Sequence, residues 1–137
     1  MVKIVIDAAD SVLGRVGSYV AKELLKGNSV EVINSEKVII SGSHSEFVAK
    51  VKAKRNMGRG ASLKGPKIDR KEDRMLKRII RGMLPWDRPK GREAWKNLRC
   101  HIGSGDLSAE DLKSAKKIET QKPMKFTTLK EVVRSLK

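Results

Sequence analysis

The chain has 137 residues, the usual length of one domain, and a chain of that size buries roughly 68–70% of its unfolded surface. It carries a formal net charge of +15, with 39% hydrophobic residues, 4% aromatic residues and one cysteine. This predicts an aliphatic core, excludes a disulfide framework, and fits a reducing cytosol. No apolar run is long enough for a membrane span, and the start Met1-Val2-Lys3-Ile4 has none of the features of a secretory leader.

In chain order, Lys3–Asp7 is β-branched and predicts a strand. Ala8 to Ser11 reads as a turn, with Asp10 or Ser11 available as a helix cap. Leu13, Val16, Val20, Ala21, Leu24 and Leu25 then recur at helical spacing up to the stop at Gly27-Asn28. Ser29–Asn34 alternates as a second strand. Strand, helix and strand in about thirty residues make a βαβ unit with parallel neighbouring strands. Lys37–Ser41 reads as a third strand, and Ser43-x-x-Glu46 as a capping box opening a helix that turns basic at Lys50, Lys52, Lys54 and Arg55.

Residues 56–67 hold three glycines and a proline among basic residues, which predicts a cationic arm, partly disordered without a partner. Asp69-x-x-Glu72 reads as another capping box. Behind it Met75, Leu76, Ile79, Ile80 and Met83 share one helical face, and Lys71, Arg74, Lys77, Arg78 and Arg81 take the rest. Trp86–Gly91 reads as a second basic connector, Glu93–Arg99 as a short helix, and Leu98–Ile102 as a last strand. Ser108-x-x-Asp111 and Thr128-x-x-Glu131 each cap a further helix. The face Leu129, Val132, Val133 and Leu136 must dock on this domain or on a neighbour.

The charge is uneven. Basic residues number five against six acidic ones in 1–49, eighteen against five in 50–99, and eight against five in 100–137. A segment with that excess repels itself, and nucleic acid is the partner that neutralises it, with release of condensed counterions. The division expected is a single domain: a βαβ scaffold (1–49), a basic contact segment (50–99) and a helical C-terminal extension (104–137).

Other chemistries fit less well. Gly14-x-x-Gly17 lies inside the helical pattern and lacks the first glycine of a dinucleotide fingerprint, so close packing on a sheet or a partner backbone is the simpler role. Gly58-x-Gly60 is no P-loop. His44, Cys100 and His101 fall short of a zinc site. Cys100 in an apolar-flanked strand is an inert thiol, and no paired carboxylates suggest acid–base catalysis. No cofactor, metal or small-molecule substrate is expected. Trp95 reads as core packing. Trp86 is divided between packing and stacking on a base. With no helix-turn-helix, zinc finger or aromatic RNP sheet, recognition by RNA shape and backbone is expected.

Arg81-Gly82-Met83-Leu84-Pro85, then Gly91-Arg92, then Leu98-Arg99-Cys100-His101-Ile102-Gly103, resembles the signature region of the large-subunit ribosomal protein L13 family. The N-terminal part agrees, from Asp7-Ala8 through Leu13-Gly14-Arg15 and Val30–Lys37 to Gly42. The likeness covers about residues 4–103. It implies an α/β/α fold around a small, mostly parallel four-stranded sheet, binding to large-subunit rRNA beside neighbouring ribosomal proteins, and a role in subunit assembly. The short connection after Leu25 and the stretch Lys54–Gly60 depart from the bacterial pattern and look archaeal or eukaryotic. The candidate RNA contacts are Arg15, Lys52, Lys54, Arg55, Arg59, Lys64, Lys67, Arg70, Arg74, Arg78, Arg81, Trp86, Arg88, Lys90, Arg92 and Arg99. The competing readings are a DNA-packaging protein and a nucleotide-dependent α/β enzyme.

Overall fold

A computed structural model describes residues 1–58 and 65–137. The predicted βαβ unit is present as β1 (Lys3–Asp7), α1 (Leu13–Leu25) and β2 (Ser29–Ile33). The two strands pair in parallel, with Ile4 opposite Val30 and Ile6 opposite Val32. α1 is capped differently from expectation. Its N-cap is Val12, whose N–H donates to Thr120 Oγ1 at 3.1 Å, while Asp10 takes a left-handed turn at φ 57°.

After a 3-10 turn at Ser35–Lys37 come β3 (Ile39–Ser41) and α2 (His44–Arg55). Ser43 is the N-cap of α2, but its hydroxyl bonds Ser45 Oγ at 3.0 Å and caps nothing. α3 (Glu72–Arg81) also lacks a side-chain cap, because Asp69 lies outside the helix and meets Arg78 instead. α4 runs Pro89–Lys96, earlier than the expected start at Glu93. Proline is favoured at the first helical position because its missing N–H is not needed there. Arg88 therefore stands at the N-cap, and Lys90 and Arg92 ride the helix rather than a connector. β4 (Leu98–Cys100), α5 (Ala109–Lys113), β5 (Lys116–Lys117), β6 (Phe126–Thr128) and α6 (Leu129–Leu136) complete the chain.

The four-stranded sheet is parallel throughout, in the order β4-β2-β1-β5. The fold is α/β/α, as the family resemblance implied. The membership of the sheet was not visible, since β3 leaves it to pair antiparallel with β6. Its place at the far edge is taken by β5, which pairs Ile6 with Lys116 and Asp7 with Lys117.

Ile6, Val16, Val20, Val30, Val32, Leu76, Ile80, Leu98, Leu129 and Val132 form one buried cluster. The apolar face of α6 therefore docks in this domain. Thr128 makes the predicted capping box with Glu131, and Ser108 accepts from the Asp111 N–H at 3.2 Å. No helix among the described residues is long and apolar enough to cross a membrane.

Candidate nucleic-acid interface

The candidate surface is centred on α3. Its inner face buries Met75, Leu76 and Ile80, and a helix that commits one stripe to the core sends the intervening positions outward. Arg74, Lys77, Arg78 and Arg81 are those positions. The turn before α4 brings the Trp86 indole against them, and α4 itself brings Trp95. The Arg81 guanidinium lies 3.8 Å over the Trp86 ring, and the Lys77 ammonium 4.5 Å over Trp95. The two rings meet edge to face, 5.4 Å apart at 87°. Each cation–π contact is worth about 0.5–1 kcal/mol near the surface and the aromatic pair about 0.5–1.5. The ladder therefore holds two cations in place before any anion arrives. Trp95 packs on the core as read, and its buried Nε1 finds no acceptor among the described residues.

What holds α4 there is Gly91. A β-carbon at this position would press on the Pro85 carbonyl oxygen and lie 2.5 Å from its carbon. The same carbonyl accepts from the Arg88 N–H at 3.1 Å. The Leu84-Pro85 turn and the first turn of α4 thus touch backbone to backbone.

Two clefts flank the α3 cations. Arg74 and Lys77 line one of about 300 Å³ with Arg99, Cys100, His101 and Asp73. The same two line another of about 240 Å³ with Arg78, Arg81, Trp95 and Asp69. Among the described residues only the Arg78–Asp69 pair, at 3.4 Å, neutralises part of this cluster, and exposed pairs of that kind are worth at most about 1 kcal/mol. The structure thus brings together Arg74, Arg78, Arg81, Trp86 and Arg99 from three elements. Lys77 joins them. It was placed on this helix without being counted a contact, although it shares a stripe with Arg74 and Arg81 at i+3 and i−4, the spacing that could have marked it.

The remaining candidates lie apart or around this centre. Arg88, Lys90 and Arg92 are exposed at the start of α4, and Lys67 and Arg70 precede α3. Lys52, Lys54 and Arg55 form the exposed last turn of α2, where Arg55 donates to the Leu136 carbonyl at 3.2 Å. Arg59 and Lys64 lie outside the described residues. Arg15 lines a different cleft, beside Tyr19 and Lys22. Burial pushes the Cys100 thiol up to about 12, with Asp73 adding to the rise against Lys77, so it stays protonated and is no nucleophile.

A family model described as Ribosomal protein L13 matches residues 2–106. The chain belongs to this family. Three archaeal relatives, each named large ribosomal subunit protein uL13, show how far the likeness extends. The protein from Methanopyrus kandleri is 47% identical over 104 residues, covering 73% of this chain and 62% of its own length. That from Natronomonas pharaonis is 37% identical over 97% of this chain and 90% of its own. That from Methanocaldococcus jannaschii is 37% identical over 96% of each. The family match ends just beyond β4, whereas the Natronomonas and Methanocaldococcus alignments carry the likeness into the C-terminal segment. Membership of a ribosomal-protein family makes the chain a non-catalytic component rather than an enzyme, and of the archaeal or eukaryotic character read from residues 54–60 the archaeal alternative agrees with these relatives.

Proposed function

We propose that this chain is a structural constituent of the large ribosomal subunit in the cytoplasm, that it binds and stabilises folded large-subunit rRNA, and that it thereby supports subunit assembly beside neighbouring ribosomal proteins. The observation that carries this reading is the cluster of Arg74, Lys77, Arg78, Arg81 and Arg99 around two clefts, two of its cations already seated on indole rings. Guanidinium groups fork onto phosphate oxygens, and fixing them beforehand reduces the entropy lost on binding. Within one domain, residues 1–49 act as scaffold and 50–99 as the contact segment. Lys52, Lys54, Arg55, Arg59, Lys64, Lys67, Arg70, Arg88, Lys90 and Arg92 extend the contact along the RNA, and residues 104–137 close the core behind it.

The test is a titration of large-subunit rRNA at several salt concentrations. Neutralising about 6–10 phosphates predicts a loss of roughly 10³–10⁵ in affinity between 50 and 200 mM salt. Duplex DNA should compete poorly against the structured RNA. A salt-insensitive affinity, or equal competition by DNA, refutes the proposal.

A further inference from the structure

α2 has little apolar surface with which to hold its place. Among its residues only Val48 is buried, with Phe47 and Val51 half-buried. Polar contacts to the C-terminal segment tie both of its ends. Arg55, its last residue, donates to the Leu136 carbonyl at 3.2 Å. His44, its first, has Nδ1 2.9 Å from Thr127 Oγ1 and Nε2 2.9 Å from Ser135 Oγ. The half-buried imidazole therefore spans from β6 to α6.

The protons available fix how the ring is bonded. A hydroxyl has one proton to give. Thr127 gives its proton to Glu131 Oε2 at 2.9 Å, and the Thr128 N–H donates to the same oxygen at 3.3 Å. These bonds hold the Glu131 carboxyl below the ordinary glutamate range, so at neutral pH it is ionised and only accepts. Thr127 has lone pairs alone left for the imidazole, and His44 Nδ1 must carry a proton. Nε2 is not fixed in this way. Ser135 Oγ has two acceptors within reach, His44 Nε2 and the Glu131 carbonyl one turn back at 3.1 Å, the back-bond open to a serine in a helix. When the ring is neutral, Nε2 accepts from Ser135. When it is charged, Nε2 donates to Ser135, and the serine proton turns to the carbonyl. Both nitrogens are bonded in either state, and one hydroxyl rotation separates the two.

The ionisable residues on the elements packed here are few. α6 carries Glu131 and Arg134, and α2 carries Glu46 in its first turn. β3 and β6 carry none, and Lys125 stands just before β6. His44 and Arg134 both help to keep Glu131 ionised.

We infer that His44 is a proton-adaptable pin, holding the start of α2 on α6 in both of its charge states, with the Ser135 hydroxyl as the adapting group. A histidine that faces a fixed donor or a fixed acceptor loses a bond when it titrates, and that loss is how histidine switches open interfaces. Here the seam stays closed, and α2 keeps its place through the pH range in which histidine titrates.

The test is a two-bond ¹H–¹⁵N spectrum of the histidine rings in the full chain at about pH 8 and about pH 5.5, on either side of the ordinary histidine value. At the higher pH His44 should carry its proton on Nδ1. His101 supplies the internal control, because its Nε2 lies 3.1 Å from Glu31 Oε2 and must donate there. The two histidines should therefore show opposite tautomers in one spectrum. At the lower pH His44 should be protonated on both nitrogens, with the backbone amides of α2 and α6 unmoved. A proton on His44 Nε2 at the higher pH overturns the assignment, and amide shifts along α2 that follow the titration overturn the pin.

Ser135→Ala tests the adapting group. The imidazolium Nε2–H would then face a methyl, which penalises the charged form. A histidine penalised in this way contributes stability that is present above its unfolded value of about 6.5 and lost as pH falls through it. From about pH 8 to pH 5.5 the folding constant of Ser135→Ala, relative to the wild-type chain, should fall by about tenfold, the low end for a hydrogen bond to a charged group. Glu131 stays ionised over that range, and Ser135→Thr, which restores a hydroxyl, should restore the wild-type profile. A Ser135→Ala profile parallel to that of the wild type overturns the role of Ser135.

Discussion

Three glycine-to-alanine substitutions probe the packing around α1 and α4, because the same added methyl meets three different surroundings. At Gly91 a β-carbon would press on the Pro85 carbonyl, with its carbon 2.5 Å away, and backbone cannot rotate aside. The turn and α4 must separate by about an ångström. Overpacking of that kind costs about 1–3 kcal/mol, only partly offset by alanine's better helix propensity near the helix start. At roughly 3 °C per kcal/mol for a chain of this size, Gly91→Ala should lower the melting temperature by about 3–9 °C. At Gly14 nothing lies within 4 Å. Gly14→Ala should therefore stabilise α1 by about 0.5–1 kcal/mol. Gly17 is intermediate. Its β-carbon would sit 2.7 Å from the Met83 sulfur, but that is the end of a flexible side chain 38% exposed to solvent. It can swing away, and Gly17→Ala should fall within about 1 kcal/mol of neutral. Urea unfolding and thermal melts of the three variants suffice. Equal effects at all three sites, or a neutral Gly91→Ala, would refute the backbone contact between the Leu84-Pro85 turn and α4.

Further perturbations address other elements. Leu129→Ala, at a fully buried site, should cost about 2–5 kcal/mol in urea unfolding; a loss below 1 kcal/mol would mean that α6 does not belong to the core. Hydrogen bonds from Thr127 and the Thr128 N–H hold Glu131 below the ordinary glutamate range. A depressed carboxyl contributes stability above its unfolded value of about 4.3 and loses it as pH falls through the folded value. Acid unfolding should begin below about pH 4, and Glu131→Gln should flatten that limb of the stability–pH curve. Arg81→Ala should change the melting point little, alter tryptophan fluorescence through Trp86, and reduce the salt slope of RNA binding by about 1.

The scaffold was legible because its residues carry their own periodicity. Lys3–Asp7 and Ser29–Ile33 are β-branched strands, and α1 repeats apolar residues on one face and stops at Gly27. The C-terminal caps at Ser108 and Thr128 were readable because a hydroxyl followed three residues later by an acid satisfies backbone donors locally. The same pattern at Ser43 and Asp69 gives no cap. A cap needs the preceding chain to arrive at the right angle, and here Ser43 bonds Ser45 and Asp69 meets Arg78 instead. β5 was invisible because Lys116-Lys117 has neither length nor apolar alternation, and it forms only because β1 offers a free edge. The site divides similarly. The charge excess of residues 50–99 and the amphipathic α3 were visible in the sequence. Their meeting with Trp86 and Trp95 was not, since it depends on the close approach of the Leu84-Pro85 turn to the start of α4 that Gly91 permits.

Because α3 both fills the core and carries the cations, the free protein and its RNA complex should respond to salt in opposite directions. The net charge is +15, and the α3 cations approach one another around shared clefts with little acid to offset them. Such self-repulsion opposes the compact state. Raising the ionic strength from 0.01 to 0.1 M shortens the screening length from about 30 to about 10 Å, which relieves repulsion between neighbouring elements, so the melting temperature of the free protein should rise. In the proposed RNA complex, phosphates would neutralise those cations, and added salt would instead remove the counterion-release advantage of binding. Its melting temperature should fall over the same range, converging on that of the free chain as the RNA dissociates. Charge reversal at Arg74 and Lys77 should weaken both trends together. If the free protein melted at the same temperature throughout the titration while the complex still weakened, the cations of α3 would not be what limits the stability of the unbound fold.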